Sequence, residues 1–336
     1  MEKIRIAQIG IGHDHADDVF FAIRDMKQYF EVVGYALPPQ EENSENFRKR
    51  ADETFVGFPQ LTVEQILEDP TIDAVTVETE ELNLTKYALL AARHGKHIHM
   101  DKPGGIELAD FEALIAAVRE KQLTFHLGYM YRYNPCVEEL LAKIDRGDLG
   151  EIFSVEAHMS CRHKVAKREW LGRFPGGMMF FLGCHMVDLI YRIQGMPKRV
   201  IPLNKATGAD GVTAQDFGMA ILEYENGVSF AKSTAEDVGG FDRRQLVVSG
   251  TQGTVRLMPL EMPWDEQDRL NLYTNVTEYT GLDWFNKGTT TKSAPYDRYS
   301  NMIEDFALIA LGKRENRYSY DYELEAYKLV LQCCGV

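Results

Sequence analysis

The sequence predicts an α/β protein in two parts: a doubly wound parallel sheet at the N-terminus, then an α+β domain built on an antiparallel sheet. Three observations carry this. From residue 3 to about residue 128, short β-rich runs alternate with helical patterns, the rhythm of a parallel sheet wrapped by helices. Beyond residue 128 the β runs crowd together and are joined by turn signals such as Asn226-Gly227, which marks antiparallel hairpins. The 336 residues amount to about two domains at roughly 150 residues each, and 45% hydrophobic content is enough to fill a core in both.

In chain order, strands are expected at residues 3–9, 31–37, 54–57, 73–79, 97–101 and 123–128. The helix after the first strand carries Ala16, Val19, Phe20 and Ile23 on one face at i, i+3, i+4, i+7 spacing. Another opens with the capping box Thr62-x-x-Gln65. A third buries Leu84, Tyr87, Ala88 and Ala91 and stops at Gly95, and a fourth uses Leu108, Phe111, Leu114, Ile115 and Val118. In the second part, a helix over 136–146 ends at Gly147, a long strand covers 152–158, and a helix covers 178–194 before Gly195. Strands follow at 214–224, 228–235, 244–249 and 253–258, and helices over 299–311 and 322–334 close the chain. The expected domains are 1–127 and 128–336, with the last helix a candidate to pack back on the first domain.

Charge narrows the function. Thirty-seven Lys and Arg against 51 Asp and Glu leave a net charge of −14, a field that repels phosphate backbones and anionic lipid. No nucleic-acid or membrane partner is expected. No apolar run approaches the roughly 18 residues of a membrane span, and the first ten residues enter a strand pattern directly, without signal-peptide organisation. The expectation is a cytoplasmic protein. The cysteines Cys136, Cys161, Cys184, Cys333 and Cys334 form no C-x-x-C pair and are read as reduced thiols. His94, His97 and His99 are read as packing residues, since the last two alternate along a strand, and no metal site is expected.

The first strand runs into Gly10-Ile11-Gly12-His13-Asp14-His15-Ala16, a G-x-G-x-x-x-A turn between strand and helix. Gly10 permits the turn, Gly12 lets the backbone approach a pyrophosphate, and the helix N-terminus offers free N–H groups to the anion. A carboxylate at the end of the second strand commonly takes the ribose 2′-OH of NAD, whereas an arginine takes the phosphate of NADP. Leu37-Pro38-Pro39 supplies neither, but Glu41, Glu42 and Arg48 follow. NAD is the expected cofactor, with NADP the alternative.

Asp101-Lys102-Pro103-Gly104-Gly105 ends the fifth expected strand at the carboxyl edge, where such sheets bind ligands. Lys102 fits two readings: a solvated turn lysine, or a group that hydrogen-bonds a substrate hydroxyl and stabilises the alkoxide as hydride leaves.

Four segments in order, GIGHDHA, DKPGG, GYMYRYNP (128–135) and GGMMFFLGCHMVDL (176–189), resemble the Gfo/Idh/MocA family of sugar and polyol oxidoreductases over essentially the whole chain. The resemblance implies a Rossmann domain, a C-terminal domain with a large open antiparallel sheet, bound NAD or NADP, and a homodimer or homotetramer built on that sheet. The family's E-K-P reads D-K-P here, which maps its lysine to Lys102. Its histidine maps to His185 and its following acid to Asp188. The expected catalytic pair is Lys102 and His185, with imidazole a reasonable general base near its reference pKa of about 6.5; a core histidine on an apolar helix is the structural alternative. The expected cofactor contacts are Gly10, Ile11, Gly12, His13, Asp14, His15, Leu37, Thr79, Asp101 and Lys102.

The chain departs from the family at several positions. Phe181 stands where an aspartate is common, four residues before the histidine, and a helix over 178–194 would align Phe181, His185 and Asp188 on one face. Thr79 to Leu84 lack the family's proline and histidine after the fourth strand.

The basic run from Arg162 to Arg168 is either a solvated loop or a substrate wall, with Arg162, His163, Lys164 and Arg168 meeting an anionic sugar and Trp170 stacking on its ring. Tyr131 and Arg132 are further candidates for the substrate pocket, as are Phe181 and Asp188. Tyr129 and Asn134 are expected to be structural, and Trp284, Tyr296 and Arg298 lie in a loop-rich stretch. The expected function is an NAD(P)-dependent oxidoreductase acting on a secondary hydroxyl of a sugar, polyol or glycoside. Two alternatives stay open: transient oxidation by tightly bound NAD during epimerisation, elimination or glycoside cleavage, and a non-enzymatic cofactor-sensing protein.

Overall fold

The computed structural model describes residues 3–265 and 267–336. They form two units: residues 3–130 with Tyr299–Leu324, and the described residues of Tyr131–Arg298 with Glu325–Val336. Among the described residues no helix is long and apolar enough to cross a membrane.

The first unit is a five-stranded parallel sheet of β1 (Ile4–Ile9), β2 (Phe30–Ala36), β3 (Ala74–Val77), β4 (His97–Met100) and β5 (Phe125–Leu127), in the order β2-β1-β3-β4-β5. Buried on both faces, β3 reads Ala-Val-Thr-Val without polar alternation. The crossovers are α1 (Ala16–Asp25), α2 (Pro39–Glu42), α3 (Glu45–Thr54), α4 (Val63–Glu68), α5 (Leu84–Arg93) and α6 (Leu108–Glu120). The apolar face read for the first helix is the buried one, and the capping box at Thr62 and Gln65 forms with both of its hydrogen bonds.

The expected strand over 54–57 does not exist. Thr54 ends α3, and the Phe55 N–H donates to the carbonyl of Ala51, so the chain leaves as a helix end. Phe55 instead stacks on Tyr35 at 4.0 Å between ring centroids and meets Phe20 edge-on at 4.7 Å. The apolar residues that resemble a strand in sequence form an aromatic plug over α1 and β2.

The second unit contains α7 (Pro135–Asp145), β6 (Ile152–His158), α8 (Val165–Trp170), α9 (Cys184–Gln194), β7 (Arg199–Pro202), β8 (Phe217–Tyr224), β9 (Gly227–Thr234), β10 (Gln245–Gly250), β11 (Thr254–Leu257), β12 (Met262–Asp265), β13 (Asp268–Tyr273), β14 (Asn275–Tyr279), β15 (Thr289–Lys292) and β16 (Tyr296–Asp297). Eight strands make one open sheet in the order β15-β14-β11-β10-β6-β9-β8-β7. Every pair is antiparallel except β6 with β9. A second sheet, β12-β13-β16, occupies part of the stretch read as loop-rich. Those strands are two to six residues long, and β12 carries a proline, so no alternating pattern announces them. Two helices follow, α10 (Ser300–Ala310) and α11 (Tyr320–Cys334).

Candidate active site

The six residues between β1 and α1 form the glycine turn. Gly10 has φ of +92°, and a Cβ there would lie 2.6 to 2.8 Å from Thr79. A Cβ on Gly12 would lie 2.7 Å from the backbone nitrogen of Glu80 and 2.5 Å from a carboxylate oxygen of Glu41. The turn is thus pressed against the segments that follow β2 and β3. Arg50, which sequence reasoning passed over, holds it from outside by donating to the carbonyls of Ile11 and His13 at 2.8 Å each and to Asp17 at 2.6 Å.

The acid absent from the end of β2 arrives four residues late. Leu37 is buried, and Glu41 of α2 turns back so that its Oε2 accepts the Ile11 N–H at 2.7 Å and its Oε1 accepts the Glu80 N–H at 3.3 Å. Burial pushes this carboxyl up to about 7, against the opposing pull of those backbone donors. Beside it lies a cavity of about 730 Å³ lined by Leu37, Leu61, Tyr87 and Leu90 and by the charged Glu42, Glu64 and Lys86. Backbone donors that already hold a carboxyl group, a cradle with no room for a Cβ and an adjoining cavity of mixed lining together fit a dinucleotide. Residues 10–15 would hold its phosphates, Glu41 a ribose hydroxyl, and the cavity its base.

The expected cofactor residues divide by direction. Asp14 is exposed, whereas His13 is wholly buried with its ring turned inward onto Asp101. Asp101 Oδ1 accepts the Lys102 N–H at 2.7 Å, and Oδ2 lies 3.0 Å from His13 Nδ1 and 3.1 Å from His15 Nδ1. Contact of His13 or Asp101 with a cofactor would therefore run through the backbone. Thr79 is buried against Gly10, and Lys102 is 1% exposed.

In the second unit, the segment expected as one helix begins with a π-helical turn, Met179–Gly183, before α9. Gly183 packs so closely on Met179 that an added Cβ would lie 2.5 Å from its sulfur. The wider turn breaks the single i, i+4, i+7 face expected for Phe181, His185 and Asp188. Phe181 meets Trp170 edge-on at 5.3 Å and His163 at 6.1 Å, with Lys167 Nζ 4.5 Å above its ring. His185 instead meets Tyr131 edge-on at 5.2 Å.

Tyr131 and Arg132 act from behind this face. The Tyr131 hydroxyl donates to Glu261 at 2.5 Å; burial, then the Glu261 charge, push it up, so it remains a neutral phenol. Burial is the largest influence on Glu261 and pushes upward, yet Arg298 and Arg244 together hold it below the usual carboxylate range. Arg132 and Asp188, read as substrate contacts, grip one another in a buried fork, Nε to Oδ2 at 2.9 Å and Nη2 to Oδ1 at 2.6 Å. Asn134 caps α7, as its structural reading implied.

The basic run is largely neutralised within this unit. Arg168, 1% exposed, pairs with Asp210, Asp216 and Glu236, and Arg162 lies 3.4 Å from Glu236. Lys167 and His163 are the members that approach Phe181. Trp170, whose ring has Lys167 Nζ 3.8 Å above it, is half-buried beside Phe174.

Residues 4–129 match the family model described as "Oxidoreductase family, NAD-binding Rossmann fold", and residues 137–256 match "GFO/IDH/MocA C-terminal domain". Among curated proteins, the chain is 32% identical over 201 residues to scyllo-inositol 2-dehydrogenase (NAD(+)) of Bacillus subtilis, covering 57% of this chain and 56% of that one. It is 26% identical over 203 residues to trans-1,2-dihydrobenzene-1,2-diol dehydrogenase of Bos taurus, covering 58% and 57%. The chain spans about half the length of the curated relatives it matches, 46% and 57% for two of them. A 3-ketoreductase from Actinomadura kijaniata, solved with NADP and TDP-benzene, superposes with a TM-score of 0.80 at 19% identity over 98% of this chain and 96% of the other. An aldose-aldose oxidoreductase from Caulobacter crescentus gives 0.79 at 19% identity over 99% and 96%.

Proposed function

Since the chain belongs to the Gfo/Idh/MocA oxidoreductases, we propose that it transfers hydride between a nicotinamide cofactor and a secondary hydroxyl of a sugar or polyol. The observation that carries this reading is the glycine turn, whose backbone N–H at Ile11 holds a carboxylate beside a cavity of the right class for an adenosine. The nicotinamide, when bound, supplies the hydride acceptor or donor. Every other step falls to side chains.

Lys102 donates a hydrogen bond to the substrate oxygen and stabilises the negative charge that grows there as the hydroxyl proton leaves, before hydride departure turns the alkoxide into a carbonyl. His185 accepts the hydroxyl proton, and its edge-on contact with Tyr131 sets the ring orientation. Tyr131 stays protonated and anchored to Glu261, so it orients without competing for the proton. The Arg132–Asp188 fork fixes the same helix one turn further on. This division of labour needs no carboxylate at position 181.

NAD is the preferred cofactor in this reading. Glu41 offers an acceptor to a ribose 2′-OH and, when ionised, repels a 2′-phosphate. The substrate is a neutral polyol or sugar, because Arg168, the buried cation of the basic run, is matched by three carboxylates.

The test is a screen of sugars and polyols at 340 nm with the wild-type protein, Lys102→Ala and His185→Ala. A substrate that wild type converts should lose on the order of a hundredfold in turnover with each variant. Unchanged turnover in both would overturn the assignment.

A further inference from the structure

His13, His15 and Asp101 converge in the first unit in a way that dinucleotide binding does not require. Asp101 Oδ2 lies 3.0 Å from Nδ1 of His13 and 3.1 Å from Nδ1 of His15, and one ligand atom from each of the three falls within 4.8 Å of the others. The tautomer of His13 is set from both sides. Its Nδ1 accepts the backbone N–H of His15 at 3.2 Å, while its Nε2 faces the carbonyl of Lys102 at 3.2 Å and Glu81 Oε1 at 3.8 Å, both acceptors. The ring proton therefore belongs on Nε2, and Nδ1 turns a lone pair towards the Asp101 carboxylate. Two lone-pair atoms 3.0 Å apart in a dry interior repel unless a cation or a shared proton lies between them. A histidine that donates one nitrogen to a main-chain carbonyl and aims the other at a carboxylate-lined point is the arrangement by which proteins orient metal-binding imidazoles.

Glu78 is a second, independent observation. It ends β3 just beyond Val77, is wholly buried, and among the described residues no donor forms a hydrogen bond to either of its carboxylate oxygens. Its Oε2 stands 4.0 Å from His13 Nδ1. Glu78 and Asp101 thus place two buried acids beside the two imidazoles at this point.

We propose that His13, His15, Asp101 and Glu78 bind one divalent cation of the zinc class. The donor set is two imidazole nitrogens and two carboxylate oxygens, which suits zinc or cobalt(II) rather than calcium or magnesium. Tetrahedral ligands at zinc distances lie about 3.3–3.6 Å apart, and the separations of 3.0, 3.1 and 4.0 Å bracket that spacing. The four ligands come from the carboxyl ends of β1, β3 and β4, so the ion staples three strands beneath the glycine turn. The inference does not depend on the proposed reaction, and failure of either leaves the other intact.

The test uses the full-length protein, freed of metal with a chelator and then titrated with Zn²⁺ and with Co²⁺, the bound metal being measured by elemental analysis after gel filtration. The expected result is about one equivalent per chain, a d–d absorption of tetrahedral intensity with Co²⁺, and a melting temperature that rises on loading. His13→Ala and Asp101→Asn should each weaken binding by roughly a hundredfold or more, and the near-isosteric Glu78→Gln by roughly tenfold. Should the first two fail to fold, Glu78→Gln and the Co²⁺ spectrum of the wild type carry the test. Binding below about a tenth of an equivalent, or binding that Glu78→Gln leaves unchanged, overturns the proposal in favour of a proton shared between the acids.

Discussion

The carboxylate of Glu41 accepts the backbone N–H of Ile11 at 2.7 Å, inside the turn that Gly10 and Gly12 shape. Position 37, where an acid would serve a ribose directly, carries a buried leucine, and the short helix α2 brings the acid back by another route. In the proposed reading Glu41 selects the cofactor, and its charge changes near neutral pH.

Glu41→Gln should weaken NAD binding by roughly tenfold, the value of about one charge-assisted hydrogen bond, and should improve the relative binding of NADP. Fluorescence titration with each dinucleotide measures both. A variant that binds both cofactors more tightly would show that the carboxylate competes for the turn instead of serving the ribose.

The pH dependence has a definite sign. Burial raises this carboxyl from 4.5 to about 7, so between those values the folded state holds a proton that the unfolded chain has released. Its contribution to stability therefore falls as pH rises through that window. The discrimination against NADP should rise as pH passes through about 7, where Glu41 of the folded protein ionises and confronts the 2′-phosphate. Both slopes should flatten in Glu41→Gln, read by melting temperature and by the ratio of the two dissociation constants.

The Arg132–Asp188 fork makes a stability prediction. Asp188→Asn leaves a guanidinium buried without its counter-charge and should cost about 3–5 kcal/mol in denaturant unfolding, whereas Arg132→Met combined with Asp188→Leu should recover much of that loss. An equally severe double variant would indicate that the pair does more than hold the helix.

Phe181 packs among Trp170, His163 and the Lys167 ammonium. Phe181→Leu should lower stability by about 1–3 kcal/mol while leaving kcat/KM within about threefold of wild type, roughly 0.7 kcal/mol. A hundredfold loss of kcat without a change in melting temperature would assign Phe181 to the chemistry.

The legible parts of this fold are those governed by periodicity. The apolar stripe of α1, the capping box at Thr62 and the hairpin at Asn226-Gly227 are local patterns, and the chain obeys them. Residues 54–57 misled because apolar, β-prone residues satisfy a tertiary aromatic cluster as readily as a strand. Of the proposed site, Lys102, His185 and the glycine turn are visible as motifs. The roles of Arg132 and Arg168 are not, because the acids that pair with them lie 42 residues or more away in sequence. Glu41 was one of three charged candidates in its loop; a fold that turns α2 back onto Ile11 selected it.

The most direct test of the central claim is calorimetric titration of the cofactor-free protein with NAD. One saturable binding event per chain, tighter for NAD than for NADP at pH 8, is the predicted result. The absence of saturable heat for both dinucleotides would contradict the account of the glycine turn and, with it, the proposed hydride transfer.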